Sequence, residues 1–225
     1  MAWVRYPRSS NTSDASPWEN DRGVRVSWVN RAEQLQDAKA IVLPGSKNTM
    51  DDLRWLKQSG LAAAIRESSA PILGICGGYQ MLGDEVIDEA GEAGGRGRET
   101  GLGLLPVSTR YQADKIVRQA TVDWGSENWS GYEIHMGRTE TGDLEPLTTV
   151  NQQPEGAKSG RVWGTYLHGL FDGASARADF AALAGIEHSP SEVSYAEQKR
   201  QLYGGMANLI EEHLNLEPLT RYVES

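Results

Sequence analysis

The feature of the sequence that most limits the fold is a short apolar run that leads directly into a glycine-flanked cysteine. Residues 71–75 read PILGI, and residues 76–80 continue as CGGYQ. A short apolar run that stops at glycines is typical of a buried strand in a parallel sheet, and the residues after it can begin a helix. An earlier run at 40–43 stops at Pro44-Gly45 in the same way. This repeated order of strand, tight turn and helix predicts βαβ units and an α/β fold.

Weaker patterns place the other elements of the chain. Further strands are predicted at 2–6, 24–29, 116–124, 131–135 and 161–167, and helices at 51–59, 61–67 and 195–214. Polar, turn-rich stretches are expected at 7–21, 84–100 and 151–160, with a tail from residue 216 onwards. Because no shift in composition divides the chain, a single domain is expected over 1–225, with its core at about 3–215.

Charge and composition narrow the class of protein. The chain has 22 basic and 31 acidic residues and a net charge of −9, which disfavours nucleic acid and membrane surfaces as partners, since both attract clustered positive charge. No stretch approaches the roughly 20 apolar residues of a membrane span, and the first residues lack the apolar centre of a signal peptide. The single cysteine excludes an intrachain disulfide. We therefore expect a globular cytoplasmic protein.

Cys76 has the setting of a catalytic nucleophile. A tight turn between a strand and a helix strains the turn residue and exposes its side chain, while small neighbours such as Gly77 and Gly78 relieve the crowding. The N-terminus of the helix that follows offers free N–H groups and a positive dipole end, which favour a thiolate and stabilise an oxyanion. A buried structural cysteine is the common alternative. The glycines on both sides favour the nucleophile.

A cysteine nucleophile needs a base, and the chain has four histidines. His188 and His213 lie among polar residues and are predicted at the surface. His135 and His168 each end an apolar run close to a glycine, at positions expected to be the carboxyl ends of strands. Because ligands bind at that edge of a parallel sheet, both are predicted to lie near Cys76. Either of them could instead be a hydrogen-bonded structural histidine.

The segment at 44–49 follows an earlier strand and could bring backbone N–H groups to the same edge. The phosphate-loop pattern G-x-x-x-x-G-K-[ST] is absent from the sequence, so no ATP site is predicted in this chain. A plain turn capped by Ser46 or Asn48 is the alternative. One cysteine cannot build a structural zinc site, and Glu133 with His135 is too small a ligand set. No metal site is therefore expected.

A series of motifs resembles the glutamine amidotransferase half of the cobyric acid synthase family. The motifs are LPGSKNT at 43–49, GICGGYQMLG at 74–83, GLGLLP at 101–106, GYEIHMGRT at 131–139 and GTYLHGLF at 164–171. The segment RYPRSSNTSD at 5–14 is similar to the start of that half. The resemblance covers nearly the whole chain. It implies a flavodoxin-like α/β fold, a parallel-sheet sandwich of the class I glutamine amidotransferase type.

The resemblance also implies catalytic roles for individual residues. Cys76 would attack the carboxamide of L-glutamine. His168 would activate the thiol and then protonate the leaving ammonia. The backbone N–H groups of Gly45, Ser46 and Gly77 would stabilise the tetrahedral oxyanion.

Other residues of the motifs are expected to help the catalytic pair. Gln80, with Gly78 and Tyr79 beside it, would contact the bound glutamine. Glu133 and His135 would support the site, and His135 is not expected to be the base.

The chain departs from the family pattern in its local triad and in its domain organisation. Related glutaminases carry a Glu two residues after the histidine, where this chain has Leu170, as the cobyric acid synthase branch does. The group that orients His168 is left open between Glu133 and a residue of a partner. The family also joins this half to an N-terminal synthetase half that is absent here. That half would bind ATP, Mg²⁺ and the corrinoid acid, so we expect no cofactor in this chain and a synthetase half or subunit as its partner.

The resemblance leaves more than one function to weigh. The first is hydrolysis of glutamine to supply ammonia for the ATP-dependent amidation of cobyrinic acid a,c-diamide in cobalamin (vitamin B12) biosynthesis. The second is a glutaminase subunit for the amidation of lipid II in peptidoglycan synthesis, which shares CGGYQ and GTYLHG. The LPGSKNT loop, GLGLLP followed by Lys115, and GYEIH favour the first. A non-catalytic binding module on the same fold is the third, disfavoured because Cys76 and His168 are both present.

Overall fold

The computed structural model describes residues 1–191 and 193–215, which belong to two units, Met1–Pro190 and Ser191–Ser225. The strands of the first unit are β1 (Ala2–Val4), β2 (Ser9–Ser10), β3 (Ser27–Val29), β4 (Ile41–Leu43), β5 (Gly45–Ser46), β6 (Ile72–Ile75), β7 (Glu85–Asp88), β8 (Gly97–Thr100), β9 (Ser108–Trp124), β10 (Glu127–Glu140), β11 (Thr148–Val150), β12 (Gln153–Glu155), β13 (Ala157–Ser159), β14 (Val162–Thr165) and β15 (Leu167–His168). Its helices are α1 (Ser16–Glu19), α2 (Thr49–Gln58), α3 (Leu61–Glu67), α4 (Gly77–Leu82) and α5 (Ala174–Leu183). In the second unit, α6 (Tyr195–His213) begins after Ser194, whose hydroxyl caps it.

The main sheet has six strands in the order β13-β14-β6-β4-β1-β3. Its neighbours are parallel, except for the antiparallel pair of β13 and β14. The predicted α/β fold with a parallel sheet is therefore confirmed. Because β4, β6 and β14 are adjacent and point the same way, the segments that follow them meet at one edge of the sheet.

Both faces of the main sheet are buried, because successive side chains of each strand point to opposite faces. On one face, Ile41 and Leu43 of β4 pack in a cluster with Leu53 of α2. On the other face, Val42 of the same strand packs in a second cluster with Phe180 of α5. Burial on both faces explains why these strands are continuous apolar runs in the sequence.

A second sheet of seven strands is built around the antiparallel hairpin of β9 and β10. β11 and β7 pair with β9, and β15 pairs with β10. The strands predicted at 116–124 and 131–135 are parts of this hairpin, which extends well beyond both. Much of β9 is exposed and polar, so its sequence lacks the apolar periodicity of a half-buried strand.

The stretches expected to be polar and turn-rich at 84–100 and 151–160 also contain strands. The first stretch contains β7 and β8, and the second contains β12 and β13. β7 is a short strand with Val86 and Ile87 buried, and its partners β8 and β9 come later in the chain. Pairing between separate segments is not visible in local composition. The polar stretch 7–21 likewise contains β2 and α1.

The remaining elements agree closely with the sequence, apart from α5, which has no predicted counterpart. The helices predicted at 51–59, 61–67 and 195–214 are confirmed as α2, α3 and α6, whereas the strand at 24–29 is shortened to β3. No helix in the described part of the chain has the length and apolarity needed to cross a bilayer. The predicted tail from residue 216 lies outside the described residues, and the single domain over 1–225 stays a prediction.

Candidate active site

Cys76 lies on the turn between β6 and α4. Its backbone has φ 52° and ψ −108°, a conformation that residues with a side chain rarely adopt. Its N–H donates to the carbonyl oxygen of Thr165 at 2.7 Å, and its Sγ lies 3.5 Å from the carbonyl oxygen of Ile134. Strain of this kind persists only where neighbouring structure holds it, and it is concentrated at functional sites. The strained turn inferred from the sequence is present in the structure.

Gly77 and Gly78 are required by close backbone contacts at the start of α4. A Cβ atom on Gly78 would lie 1.9 Å from the carbonyl oxygen of Leu43, and one on Gly77 would lie 2.8 Å from the backbone nitrogen of Ser46. No real Cβ atom tolerates such distances, so α4 approaches β4 this closely only with glycine at both positions. This approach puts Cys76 next to the turn that contains Gly45 and Ser46.

The turn after β4 is held by hydrogen bonds on both sides. Gly45 and Ser46 form β5, which pairs with β2 through Ser10 and Ser9. The Ser46 hydroxyl donates to Oδ2 of buried Asp52 at 2.6 Å. Burial raises the pKa of Asp52, and the hydrogen bond from Ser46 opposes that shift. The predicted oxyanion residues Gly45, Ser46 and Gly77 are therefore brought together at a rigid turn.

His168 lies in β15, just after β14, and its side chain is completely buried. Its Nδ1 lies 2.7 Å from Oδ2 of Asp14, and the other oxygen of Asp14 accepts the N–H of Gly169 at 3.0 Å. Its Nε2 lies 3.0 Å from Nδ2 of Asn11, and interactions with Asp14 and Cys76 raise the pKa of the ring. The geometry therefore joins the predicted nucleophile and base, with a carboxylate on the far nitrogen of the imidazole.

Asp14 is a candidate functional residue that sequence reasoning missed. It precedes His168 by 154 residues and lies in a polar segment that pairing between β2 and β5 draws towards the site. The one available signal was its position at the end of the motif RYPRSSNTSD. Glu133 and a partner residue were the expected orienting groups, and for Glu133 the structure contradicts this. Glu133 is buried in an ion pair with Arg118, on the His135 side of the site.

His135 reaches the site from the second sheet. The expectation that it ends a strand at the edge of the parallel sheet is wrong, because it lies within antiparallel β10. Its Nδ1 lies 2.8 Å from the carbonyl oxygen of Gly137, and its ring stacks on Tyr166 with 3.8 Å between ring centroids. Its Nε2 lies 3.9 Å from the carboxylate of Glu133. This placement suits a supporting residue, which remains the prediction for Glu133 and His135.

Of the three residues expected to contact glutamine, only Gln80 lines the cavity beside Cys76, whereas Gly78 and Tyr79 do not. Gln80 lines the cavity beside Cys76, but its carboxamide is held by Thr49, Tyr111 and Tyr166. Gly78 packs against β4, as described above. Tyr79 is buried with its ring against that of Tyr166, at 5.3 Å between centroids. The geometry therefore gives Gly78 and Tyr79 packing contacts, and contact of Gln80 with the substrate stays a prediction.

His188 is buried, so its predicted place at the surface is wrong. Its Nε2 lies 2.6 Å from Oδ2 of Asp21, which also accepts the Nε–H of buried Arg177 at 2.6 Å. Its ring packs edge-on against Trp18. These contacts give His188 a structural role.

A cavity of about 370 Å³ opens beside Cys76. Its lining includes Asn11, Ser46, Gln80 and His135, so it joins the N-terminal segment, the turn after β4, α4 and the second sheet. A larger cleft of about 890 Å³, near Leu183, contains none of the candidate residues. The smaller cavity is therefore the candidate substrate site.

A comparison with known families agrees with this geometry. Residues 1–176 match the CobB/CobQ-like glutamine amidotransferase domain. The chain belongs to this family. It is a glutamine amidotransferase domain, and Cys76, His168 and Asp14 all lie within the matched region.

The amidotransferase domain is similar to curated proteins that are much longer. A probable cobyric acid synthase of Halobacterium salinarum is 42% identical over 233 residues, covering 97% of this chain and 44% of that protein. Cobyric acid synthases of Synechococcus elongatus and Desulforudis audaxviator are 38% and 40% identical, each covering 97% of this chain and 48% of the relative. The chain therefore spans about half the length of the curated relatives it matches.

Solved structures show the same fold. A crystal structure of a glutamine amidotransferase has a TM-score of 0.64 at 19% identity, covering 82% of this chain and 99% of that one. The structure of PurLQS from Thermotoga maritima has a TM-score of 0.52, also at 19% identity, covering 82% and 94%. The flavodoxin-like fold of the class I glutamine amidotransferase type is confirmed.

The buried pair of His168 and Asp14 predicts a pH-dependent stability. Burial lowers the pKa of His168, but hydrogen bonds with Asp14 and Cys76 raise it by more than burial lowers it. The net result is a rise of the pKa from 6.5 to about 10. Since the folded domain holds this proton more tightly than the unfolded chain, the stabilisation is complete below about pH 6.5 and is lost as pH rises towards 10. We expect the wild-type advantage over Asp14→Asn in free energy of unfolding to shrink over that range, measured by urea denaturation. A difference that stays constant with pH would contradict this, and Glu19→Gln, an exposed acid, is the control.

Proposed function

We propose that this domain is the glutaminase part of a cobyric acid synthase. It would hydrolyse L-glutamine and supply ammonia for the ATP-dependent amidation of side-chain carboxylates of cobyrinic acid a,c-diamide in cobalamin biosynthesis. The observation that carries the proposal is the strained Cys76 beside His168 and Asp14, at the mouth of a cavity. The names of the curated relatives supply the acceptor.

In the first chemical step, Cys76 forms a thioester with the substrate. Nε2 of His168 takes the thiol proton, and Sγ attacks the carboxamide carbon of glutamine. The carbonyl oxygen becomes an oxyanion, which the backbone N–H groups of Gly77 and of the turn 45–46 stabilise. The C–N bond then breaks, and His168 gives its proton to the departing nitrogen. Ammonia leaves, and the glutamyl group remains on Cys76.

In the second step, water hydrolyses the thioester. Neutral His168 takes a proton from water as the oxygen attacks the thioester carbon. The C–S bond breaks, the proton returns to Sγ, and glutamate leaves. In both steps the carboxylate of Asp14 stabilises the imidazolium that forms, which agrees with the raised pKa of His168.

The acceptor chemistry belongs to a partner in this proposal. Cysteine, histidine and backbone N–H groups are sufficient for amide hydrolysis, so the domain itself needs no cofactor. ATP, Mg²⁺ and the corrinoid acid would bind a synthetase half or subunit, in keeping with relatives about twice as long as this chain. The proposed compartment is the cytoplasm, where a free catalytic thiol stays reduced.

The other functions considered have less support. Amidation of lipid II is disfavoured because the relatives described above are cobyric acid synthases. A non-catalytic module would have no chemical need for a strained cysteine close to a buried histidine that is itself in contact with a carboxylate.

Release of ammonia and glutamate from L-glutamine tests the hydrolysis directly. We expect Cys76→Ala and His168→Ala to lower the rate roughly 10³-fold or more, because each removes a group that makes or breaks bonds. His213→Ala removes a histidine outside the site and is the control. Equal rates for the wild-type and Cys76→Ala proteins would contradict the proposal.

The acceptor is tested with the synthetase part of a cobyric acid synthase. The assay contains that partner, ATP, Mg²⁺ and cobyrinic acid a,c-diamide, and mass spectrometry follows the amidated corrinoid. Product that depends on glutamine and on Cys76 is expected. Hydrolysis of glutamine with no transfer to the corrinoid would overturn the assignment of the acceptor and leave the glutaminase activity standing.

A further inference from the structure

The β9–β10 hairpin has a large irregularity beside the catalytic cavity. The pairing passes from Tyr111–Gly137 to Ile116–His135, so residues 112–115 of β9 have a single residue of β10 opposite them. A bulge of this kind interrupts the ladder and re-aims side chains, and bulges are frequent next to active sites. This segment is called the β9 bulge below.

The guanidinium of Arg138, a residue of β10, forms hydrogen bonds with the β9 bulge and with the backbone of β10. Nη2 of Arg138 donates to the carbonyl oxygen of Asp114 at 3.0 Å, and Nη1 donates to those of Met136 and Gly137, both at 3.2 Å. These charge-assisted bonds join the backbone of the β9 bulge to the side chain of a β10 residue and to the backbone of β10 next to it. Arg138 therefore stabilises the bulge in one conformation.

The β9 bulge brings Lys115 to the cavity that contains Cys76. Lys47 and Glu92 also line this cavity, and Glu92 is its one carboxylate among the described residues. Neither Lys115 nor Glu92 forms a salt bridge within the part of the chain that the structure describes. The cavity therefore presents unpaired charges of both signs to a bound molecule.

We propose that Lys115 binds the α-carboxylate of L-glutamine and that Glu92 binds its α-ammonium group. The inference rests on the proposed glutaminase function, which puts the carboxamide at Cys76. The other end of glutamine is a zwitterion, and each of its charged groups is attracted to a partner of opposite sign, here the exposed side chains of Lys115 and Glu92. The cavity has Lys47 and Lys115 as its lysines and Glu92 as its carboxylate, so it offers both charges that this head group needs.

Lys115 is preferred to Lys47 for a structural reason. Lys47 directly follows Gly45 and Ser46, which are placed at the carboxamide end of the substrate. Lys115 comes from β9, on a bulge that Arg138 holds at the expense of regular pairing. In this arrangement Lys115 determines specificity, and Arg138 acts as a positioning residue through the bulge.

Amides that lack one of the two charged groups of glutamine distinguish the contact of Lys115 from that of Glu92. Glutaramic acid has the carboxylate but no α-ammonium group, and 4-aminobutanamide has the ammonium group but no carboxylate. We expect Lys115→Ala to lower kcat/KM roughly 10- to 100-fold for L-glutamine and glutaramic acid, mainly through KM, and to leave 4-aminobutanamide unaffected. Glu92→Gln should show the reverse selectivity. Lys115→Arg should restore most of the loss, and Lys158→Ala, a surface lysine outside the cavity, is the control.

A double-variant experiment tests whether Arg138 acts through Lys115. Arg138→Met should raise KM for L-glutamine with little change in kcat, and the double variant with Lys115→Ala should be no worse than the more impaired single variant. Additive losses, or a fall in kcat alone, would show that Arg138 does not act through Lys115.

Equilibrium binding of L-glutamine to the Cys76→Ala protein separates this inference from the proposed function. Weaker binding after the additional change Lys115→Ala, without turnover in the wild type, would support the inference and overturn the hydrolysis. Two outcomes in an active enzyme would overturn the inference and leave the hydrolysis standing. One is an equal loss of kcat/KM for all three amides in Lys115→Ala, and the other is a loss specific to the amides with a carboxylate in Lys47→Ala instead. An absence of both binding and turnover would overturn both.

Discussion

Replacing Asp14 with alanine is expected to lower kcat for glutamine hydrolysis by roughly 10²- to 10⁴-fold, with a much smaller change in KM. Both oxygens of Asp14 are engaged at the site, one with Nδ1 of His168 and one with the N–H of Gly169. The carboxylate holds one ring proton on Nδ1, so that Nε2 is the nitrogen that takes and returns the proton of Cys76. It also stabilises the imidazolium that forms when the thiol loses its proton.

Other variants separate this orienting role from loss of structure. Asp14→Asn keeps the size of the side chain but can donate to Nδ1, which favours the wrong tautomer, so its loss of kcat should approach that of Asp14→Ala. Glu19→Gln is the control for removal of a nearby acid. Circular dichroism checks that each variant is folded at the assay pH. A large loss in Glu133→Gln, with Asp14→Ala near the wild-type rate, would restore Glu133 as the orienting group.

Replacing Gly78 with alanine is expected to lower the free energy of unfolding by about 3 kcal/mol or more, a large part of the 5–15 kcal/mol typical of a domain. The added Cβ would lie 1.9 Å from the carbonyl oxygen of Leu43 and 2.6 Å from its carbonyl carbon. Both atoms belong to the backbone of buried β4 and cannot move aside locally. Either α4 moves away from the sheet or β4 is displaced, and each change disturbs the turn that carries Cys76.

Urea denaturation of Gly78→Ala measures this effect, and Gly95→Ala is the matched control. A Cβ on Gly95 would meet only the flexible end of the Arg54 side chain, at 3.1 Å, so less than about 1 kcal/mol is expected there. If Gly78→Ala unfolded at the same urea concentration as the wild-type protein, the close packing of α4 on β4 would be contradicted. If it did not fold at all, its insolubility beside a soluble Gly95→Ala protein would agree with the prediction.

The parts of the fold that could be predicted are those encoded in local pattern. The apolar runs of β4 and β6, the glycines around Cys76 and the apolar run before His168 each carry their own signal. The second sheet is less visible, because the exposed length of β9 lacks periodicity and β7, β8 and β12 are short. Their pairing depends on segments far apart in the chain.

By itself, the sequence determined the α/β class and the strained cysteine turn and, through its motifs, the family and the candidate base His168. Only the tertiary structure decided which carboxylate contacts His168 and which charged residues share the cavity with Cys76. Asp14 meets His168 because β2 pairs with β5, and Lys115 reaches the cavity because Arg138 holds the β9 bulge. Local sequence specifies the conformation of a short segment, whereas contacts between distant segments form only when the chain packs and its backbone groups find partners.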